Sequence, residues 1–178
     1  MKGIEGVRRA ARHWTIAGIL LATCGCGPRH NPPLKPNDLV FAAAYDHLLE
    51  IEYKSPQQRI VAHRWAASDP FMVTFERAES RTFERCMADD GILSSLRLLA
   101  TIRAKNSVPA PEAERAAKTH SAWGTLSIRD DTNPEPITFL VRPAAPPLAR
   151  SFGSDATFEL EDSTLSLLHQ RCPATALR

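Results

Sequence analysis

The sequence predicts a mainly antiparallel β domain, sandwich-like or α+β, with two or three short helices interspersed. Three observations carry this expectation. Apolar and polar residues alternate over short runs such as Leu49 to Tyr53, the period of a half-buried strand. Turn-forming residues recur roughly every ten positions between those runs. No stretch has the length and helical periodicity of the crossover helices that a parallel sheet requires.

Taken in chain order, residues 38–50 predict a short helix capped by Asn37 or Asp38, running into a strand at Leu49-Glu-Ile-Glu-Tyr53. Ser55-Pro-Gln-Gln58 is a turn, and Arg59 to Ala66 the returning strand of a hairpin, stopped by Ser68-Asp-Pro70. Phe71 to Arg77 and Arg81 to Met87 form a second hairpin around Ala78-Glu-Ser80. Phe-Glu-Arg occurs at 75–77 and again at 83–85 without longer self-similarity, so it is local strand patterning rather than a repeat. Asp89 to Lys105 fits both periods. It is expected as a brief helical turn capped by Asp89 or Asp90, then a strand from Leu96. Residues 108–118 predict a short helix with prolines at its start and a Glu114–Lys118 pair along it. Residues 122–129 and 136–142 are strands joined by the turn residues of 130–134. A proline-rich loop spans Pro143 to Pro147, a last strand covers 157–161, and Ser163 to Arg171 is an amphipathic turn or helix. The sum is roughly six to eight strands.

The charge is uneven. Lys2, Arg8, Arg9 and Arg12 against Glu5 put +3 on residues 1–23, so the chain's net +2 leaves −1 on the remainder. No basic surface of the kind that phosphate backbones demand is expected, and no nucleic-acid partner with it. After this basic head, Trp14 to Thr23 is an uncharged, mostly apolar run. It has the length of a signal-peptide core and falls short of the ~20 residues that cross a bilayer as helix.

The run ends in Leu20-Leu-Ala-Thr-Cys24-Gly-Cys26-Gly27, and here the segment resembles the signal peptide of bacterial lipoproteins. In that family a small-residue box precedes a cysteine that is lipidated and becomes the new N-terminus. The resemblance implies lipidation at Cys24, with Cys26 as the alternative register, and anchoring to a membrane through the N-terminal lipid. Gly25 or Gly27 after the cysteine, being non-acidic, implies the outer membrane, facing the periplasm. The following segment, Pro28 to Pro36, holds four prolines in nine residues and almost nothing apolar, as a tether does. The expected organisation is therefore a signal peptide over 1–23, a proline-rich lipid tether over 24–37, and a single β-rich periplasmic domain over 38–178.

Two further cysteines remain, Cys86 and Cys172. In an oxidising compartment they most simply form a disulfide. Closing a loop of about 85 residues, it would contribute up to ~4.5 kcal/mol in the loop-entropy account. Two unpaired thiols are one alternative; a site joining His169 and Cys172 to Cys86 is another, though a structural zinc site needs four ligands with tight pair spacing.

Chemistry-bearing patterns are sparse. The chain carries no Gly-x-Ser-x-Gly elbow, Ser-x-x-Lys, His-Glu-x-x-His or phosphate loop, so no catalytic residue, metal or cofactor is assigned. His30, His47, His63, His120 and His169 are scattered. His120 with Ser121 and Asp130-Asp131 has the residue types of a triad but nothing more. Asp131, Asn133 and Glu135 place oxygen atoms at alternate positions, faintly as in a calcium loop, yet the same residues make an ordinary β-turn. Two basic clusters stand out: Arg59, Arg64 and Trp65 with His63, and Arg77, Arg81 and Arg85 interleaved with Glu76, Glu79 and Glu84. Arg and Trp are favoured interface anchors, which makes these six residues the candidate partner-binding face; a mixed-charge surface without a partner is the plainer alternative. The expectation is a non-enzymatic protein-binding lipoprotein, either an envelope or secretion accessory or an immunity or inhibitor protein, with a small periplasmic hydrolase lacking a visible motif as the alternative.

Overall fold

Strict alternation of apolar with polar side chains gives each long strand one face that must leave water. The computed structural model describes residues 35–118, 123–133, 135–151 and 156–173. Its strands are β1 (Leu39–Ala42), β2 (Leu48–Lys54), β3 (Gln58–His63), β4 (Met72–Arg77), β5 (Thr82–Met87), β6 (Thr101–Arg103), β7 (Asn106–Val108), β8 (Gly124–Asp130), β9 (Ile137–Arg142), β10 (Leu148–Ser151) and β11 (Thr157–Glu159). Helix α1 covers Asp90–Leu99 and α2 covers Ala110–Ala117, and 3-10 segments lie at Tyr45–His47 and Asp162–His169. Nine strands form one antiparallel sheet in the order β5-β4-β3-β2-β8-β9-β10-β11-β7, and β1 pairs with β6 in a two-stranded sheet. The antiparallel β class with short helices is therefore the observed one.

The inner face of the large sheet carries Ile51 and Tyr53 of β2, Ile60 and Ala62 of β3, Val73 and Phe75 of β4, Leu126 and Ile128 of β8, and Phe139 and Val141 of β9, all buried. Ile92, Leu96 and Leu99 of α1 and Leu165, Leu167 and Leu168 of the second 3-10 segment join the same core. The two elements also meet through the Ser166 hydroxyl, 2.9 Å from Ser95 Oγ. At Gly124 the β2 and β8 side chains approach so closely that a Cβ there would sit 2.7 Å from the Tyr53 ring.

The disulfide forms between Cys86 in β5 and Cys172, with Cα atoms 5.7 Å apart. That settles the fate of both thiols and removes them as metal ligands. The expected hairpins β2–β3, β4–β5 and β8–β9 are present with regular register. Three expectations need correction. Residues 38–50 are not a helix: Leu39–Ala42 is strand β1, drawn out by pairing with β6, and only Tyr45–His47 makes a helical turn. Asp89 does cap α1, its carboxylate accepting from the Ile92 N–H, but the helix runs on to Leu99, and the strand begins at Thr101 rather than Leu96. Burying Ile92, Leu96 and Leu99 along one helical face beats the competing strand alternation. Finally, β7 and β10 were not anticipated.

Candidate interaction surface

The outer face of the sheet is a polar ladder interrupted by exposed apolar side chains. Register aligns Met87, Met72, His63, Glu50 and Arg129 in one row across β5, β4, β3, β2 and β8. Arg85, Thr74, Val61, Glu52 and Ser127 make the next row, and Phe83, Glu76, Arg59, Lys54 and Thr125 the third. Opposite charges meet across strands, directly for Arg59–Glu76 and Glu50–Arg129 and on the diagonal for Arg59–Glu52. Arg59 Nε donates to Glu52 at 2.7 Å and its Nη1 lies 3.5 Å from Glu76, while Arg129 Nη2 donates to Glu50 at 2.9 Å. The Glu52 carboxylate holds the Arg59 guanidinium above its ordinary pKa. Such exposed pairs set register more than they stabilise.

Large apolar groups break this pattern at the β3–β5 end. Trp65 is 87% exposed, Phe83 66% and Met87 57%. Trp65 follows β3 and packs edge-on against His63, with centroids 5.8 Å apart. A shallow groove of ≈ 370 Å³ lies between the β2–β3 and β4–β5 turns, lined by Lys54, Pro56, Gln58, Arg81 and Phe83.

The pleat divides the six candidate anchors. Arg59 and Arg85 stand on the outer face in register with their neighbours, and Trp65 follows β3 beyond His63, at the other end of the strand from Arg59. Arg81 sits in the β4–β5 turn with φ 50°, a left-handed conformation that glycine or asparagine adopts more readily. Arg64 is 7% exposed and turned inward. Its Nε donates to the Leu48 carbonyl at 2.6 Å, Nη1 to Ala67 at 2.6 Å and Nη2 to Tyr45 at 2.7 Å, and the guanidinium lies 4.7 Å from the Phe71 ring centre. Arg77 is also inward, over Phe75, donating to the Gln170 carbonyl at 2.6 Å. Both are structural cations. Strand parity held this distinction, since Arg77 lies two positions from the core residue Phe75. Among the described residues, Arg81 and Arg85 have no carboxylate within ion-pair distance.

Two features were not visible in the sequence. His47 Nδ1 lies 2.7 Å from Asp131 Oδ1, bringing together residues far apart in the chain. Asp130 folds the turn: its Oδ1 accepts from Thr132 N and Oγ1 and from Asn133 N. These bonds, the Thr132 hydroxyl first, hold its carboxyl below the ordinary range. The second feature is a cleft of ≈ 400 Å³ lined by Asn106, Glu112, Arg115, Arg142, Leu148 and Glu159. Glu159 accepts from Asn106 at 3.1 Å and pairs with Lys105 at 3.0 Å, and both hold its carboxyl low. Arg142 Nε is buried there without a partner. The cleft depends on β7 and β10, whose sequences carry no strand signal. Among the described residues no three His, Cys, Asp or Glu side chains converge as a metal site, and no helix is long and apolar enough to cross a membrane. Cys24, Cys26, His30, His120 and Ser121 lie outside the described residues.

What fold and surface define is an antiparallel β domain whose large sheet, across β2–β5, β8 and β9, buries one face in the core with the short helices and, among the described residues, leaves the other partly to fully exposed. Compared with known proteins, the chain matches no family model, no curated protein and no solved structure.

Proposed function

We propose that this chain is an outer-membrane-anchored periplasmic lipoprotein that acts as a non-enzymatic protein-binding module. The observation that carries the binding role is that exposed Trp65, Phe83 and Met87 and the arginines 59, 81 and 85 are spread along the β3–β5 side of the outer sheet face. Exposed aromatic and Arg side chains together are the composition of interface anchors. The lipoprotein-like segment ending at Cys24 or Cys26, the proline-rich stretch after it and the Cys86–Cys172 bond support placement in an oxidising envelope compartment. Two roles fit: an accessory of an envelope or secretion assembly, or an immunity protein that inhibits a toxic enzyme. A deletion strain separates them. Death among sibling cells with healthy monoculture selects immunity, an envelope or secretion defect in monoculture selects assembly, and the absence of both phenotypes overturns the proposal. Intact mass from membranes tests the anchor: a chain starting at Cys24 or Cys26 plus acyl groups is expected.

The His47–Asp131 pair favours a second reading, a small periplasmic hydrolase. A carboxylate on Nδ1 orients an imidazole so that Nε2 can act as a base. Among the described residues no hydroxyl or thiol hydrogen-bonds to that ring. This reading requires that His47→Ala abolish a hydrolytic activity while leaving the fold intact.

A further inference from the structure

The large sheet ends on one side in β7, which has three residues, and on the other in β5, which has six. Natural edges of this length are normally blunted by proline, lysine, a bulge or a covering loop. β5 reads Thr-Phe-Glu-Arg-Cys-Met with regular register throughout, so it has no proline, lysine or bulge. The direction of its backbone groups follows from one bond. Ala88 N donates to the Phe71 carbonyl, one step beyond the Met72–Met87 pair. Antiparallel ladders alternate, so Thr82, Glu84 and Cys86 exchange bonds with β4. The N–H and C=O groups of Phe83, Arg85 and Met87 therefore point away from the sheet.

The side chains of these same three residues stand on the outer face, all exposed. An incoming strand would set its own alternate residues opposite Phe83, Arg85 and Met87. Among the described residues Arg85 has no carboxylate within ion-pair distance, which asks for acid between two apolar residues. A second copy fits poorly. Two-fold pairing centred on Arg85 or Glu84, the middle of the strand, sets like charges opposite each other, which disfavours it. On the inner side the Cys86–Cys172 bond and the Glu84 carboxylate, accepting from Cys172 N at 3.1 Å, hold β5 in place. The edge is thus fixed before anything binds.

We propose that β5 is a docking edge that accepts an extended segment of another protein, with an apolar–acidic–apolar pattern on alternate positions. This rests on the protein-binding reading above and names its mode, addition of a strand to the sheet.

The test uses the full chain in detergent and two capped peptides, Thr-Val-Thr-Glu-Thr-Val-Thr and the same sequence with Lys in place of Glu. The expected result is that the acidic peptide slows amide exchange at Phe83, Arg85 and Met87, and that the Lys peptide binds about tenfold more weakly. Arg85→Glu reverses the preference. Arg85→Pro, which spares the β4 ladder because that N–H points outward, abolishes binding of both. Equal binding of the two peptides, or protection elsewhere, overturns the proposal. A photo-crosslinking residue placed at 83 or at 65 in living cells separates the two readings. Adducts to another protein from 65 but not 83 overturn the docking edge alone, a self-adduct of doubled mass from 83 replaces the partner by a second copy, and no adduct from either overturns the protein-binding reading as well.

Discussion

Arg64 shows how one side chain can tie a fold together. Its guanidinium, largely buried, joins the carbonyls of Tyr45, Leu48 and Ala67, so it links the first 3-10 segment, the start of β2 and the loop after β3. Removing it would take a donor from each of the three, of which the Tyr45 carbonyl keeps the Leu48 N–H, and open a cavity beside Phe71. Arg64→Ala is expected to cost about 3 kcal/mol or more in urea unfolding, and Arg64→Lys to recover little, because one ammonium cannot span three acceptors. Gly124 is a different case, where the constraint is space. A methyl group 2.7 Å from the Tyr53 ring must displace a buried aromatic, and Gly124→Ala should lose about 1–3 kcal/mol with a changed near-ultraviolet tyrosine signal. Asp130 supplies the pH dependence. Its folded pKa lies below the ordinary 3.8, so its contribution is complete above that value and is lost as pH falls through the lower folded one. Asp130→Asn should flatten this part of the acid limb, as measured by melting temperature against pH.

Among the elements, β5 depends most on a covalent partner. It has one neighbouring strand, β4, and a second attachment at Cys172. The loop closed by that bond spans 86 positions, which favours a large effect on the unfolded chain. Cys86→Ser with Cys172→Ser is expected to lower stability by about 2–4 kcal/mol. Amide exchange should quicken first in β5 and the segment around residue 170, before β2 and β8 at the centre of the sheet.

For the whole molecule, the decisive feature is that the sheet has one buried and one open face. Core substitutions such as those at Phe75 or Ile128 act through folding, whereas those on the open face act through what it meets. Trp65→Ala and Phe83→Ala should therefore change unfolding free energy by no more than about 0.5 kcal/mol while weakening the partner-dependent phenotype of the deletion assay. Loss of that phenotype together with loss of stability would assign these residues to the fold instead.

The hairpins were legible in the sequence because each is written locally. Leu49-Glu-Ile-Glu-Tyr53 alternates, Ser55 to Gln58 turns, and β3 alternates back. The cap at Asp89 was legible for the same reason, a carboxylate before a helix, whereas the pairing of Cys86 with Cys172 was legible by composition, as two cysteines with no other partner in an oxidising compartment. The candidate surface was legible in part. Its residue types were evident, but Arg64 and Arg77 had to be separated from Arg59 and Arg85 by the pleat. The rest was decided by distant neighbours. β1 is extended because β6 lies beside it, β7 is a strand because β11 pairs with it, and β10 because it is held between β9 and β11. His47 meets Asp131 across 84 positions. Local alternation and turn chemistry act within a few residues and are fully written in the chain. Edge, face and long-range pairing are properties of how those pieces share one core, and only the tertiary structure decides them.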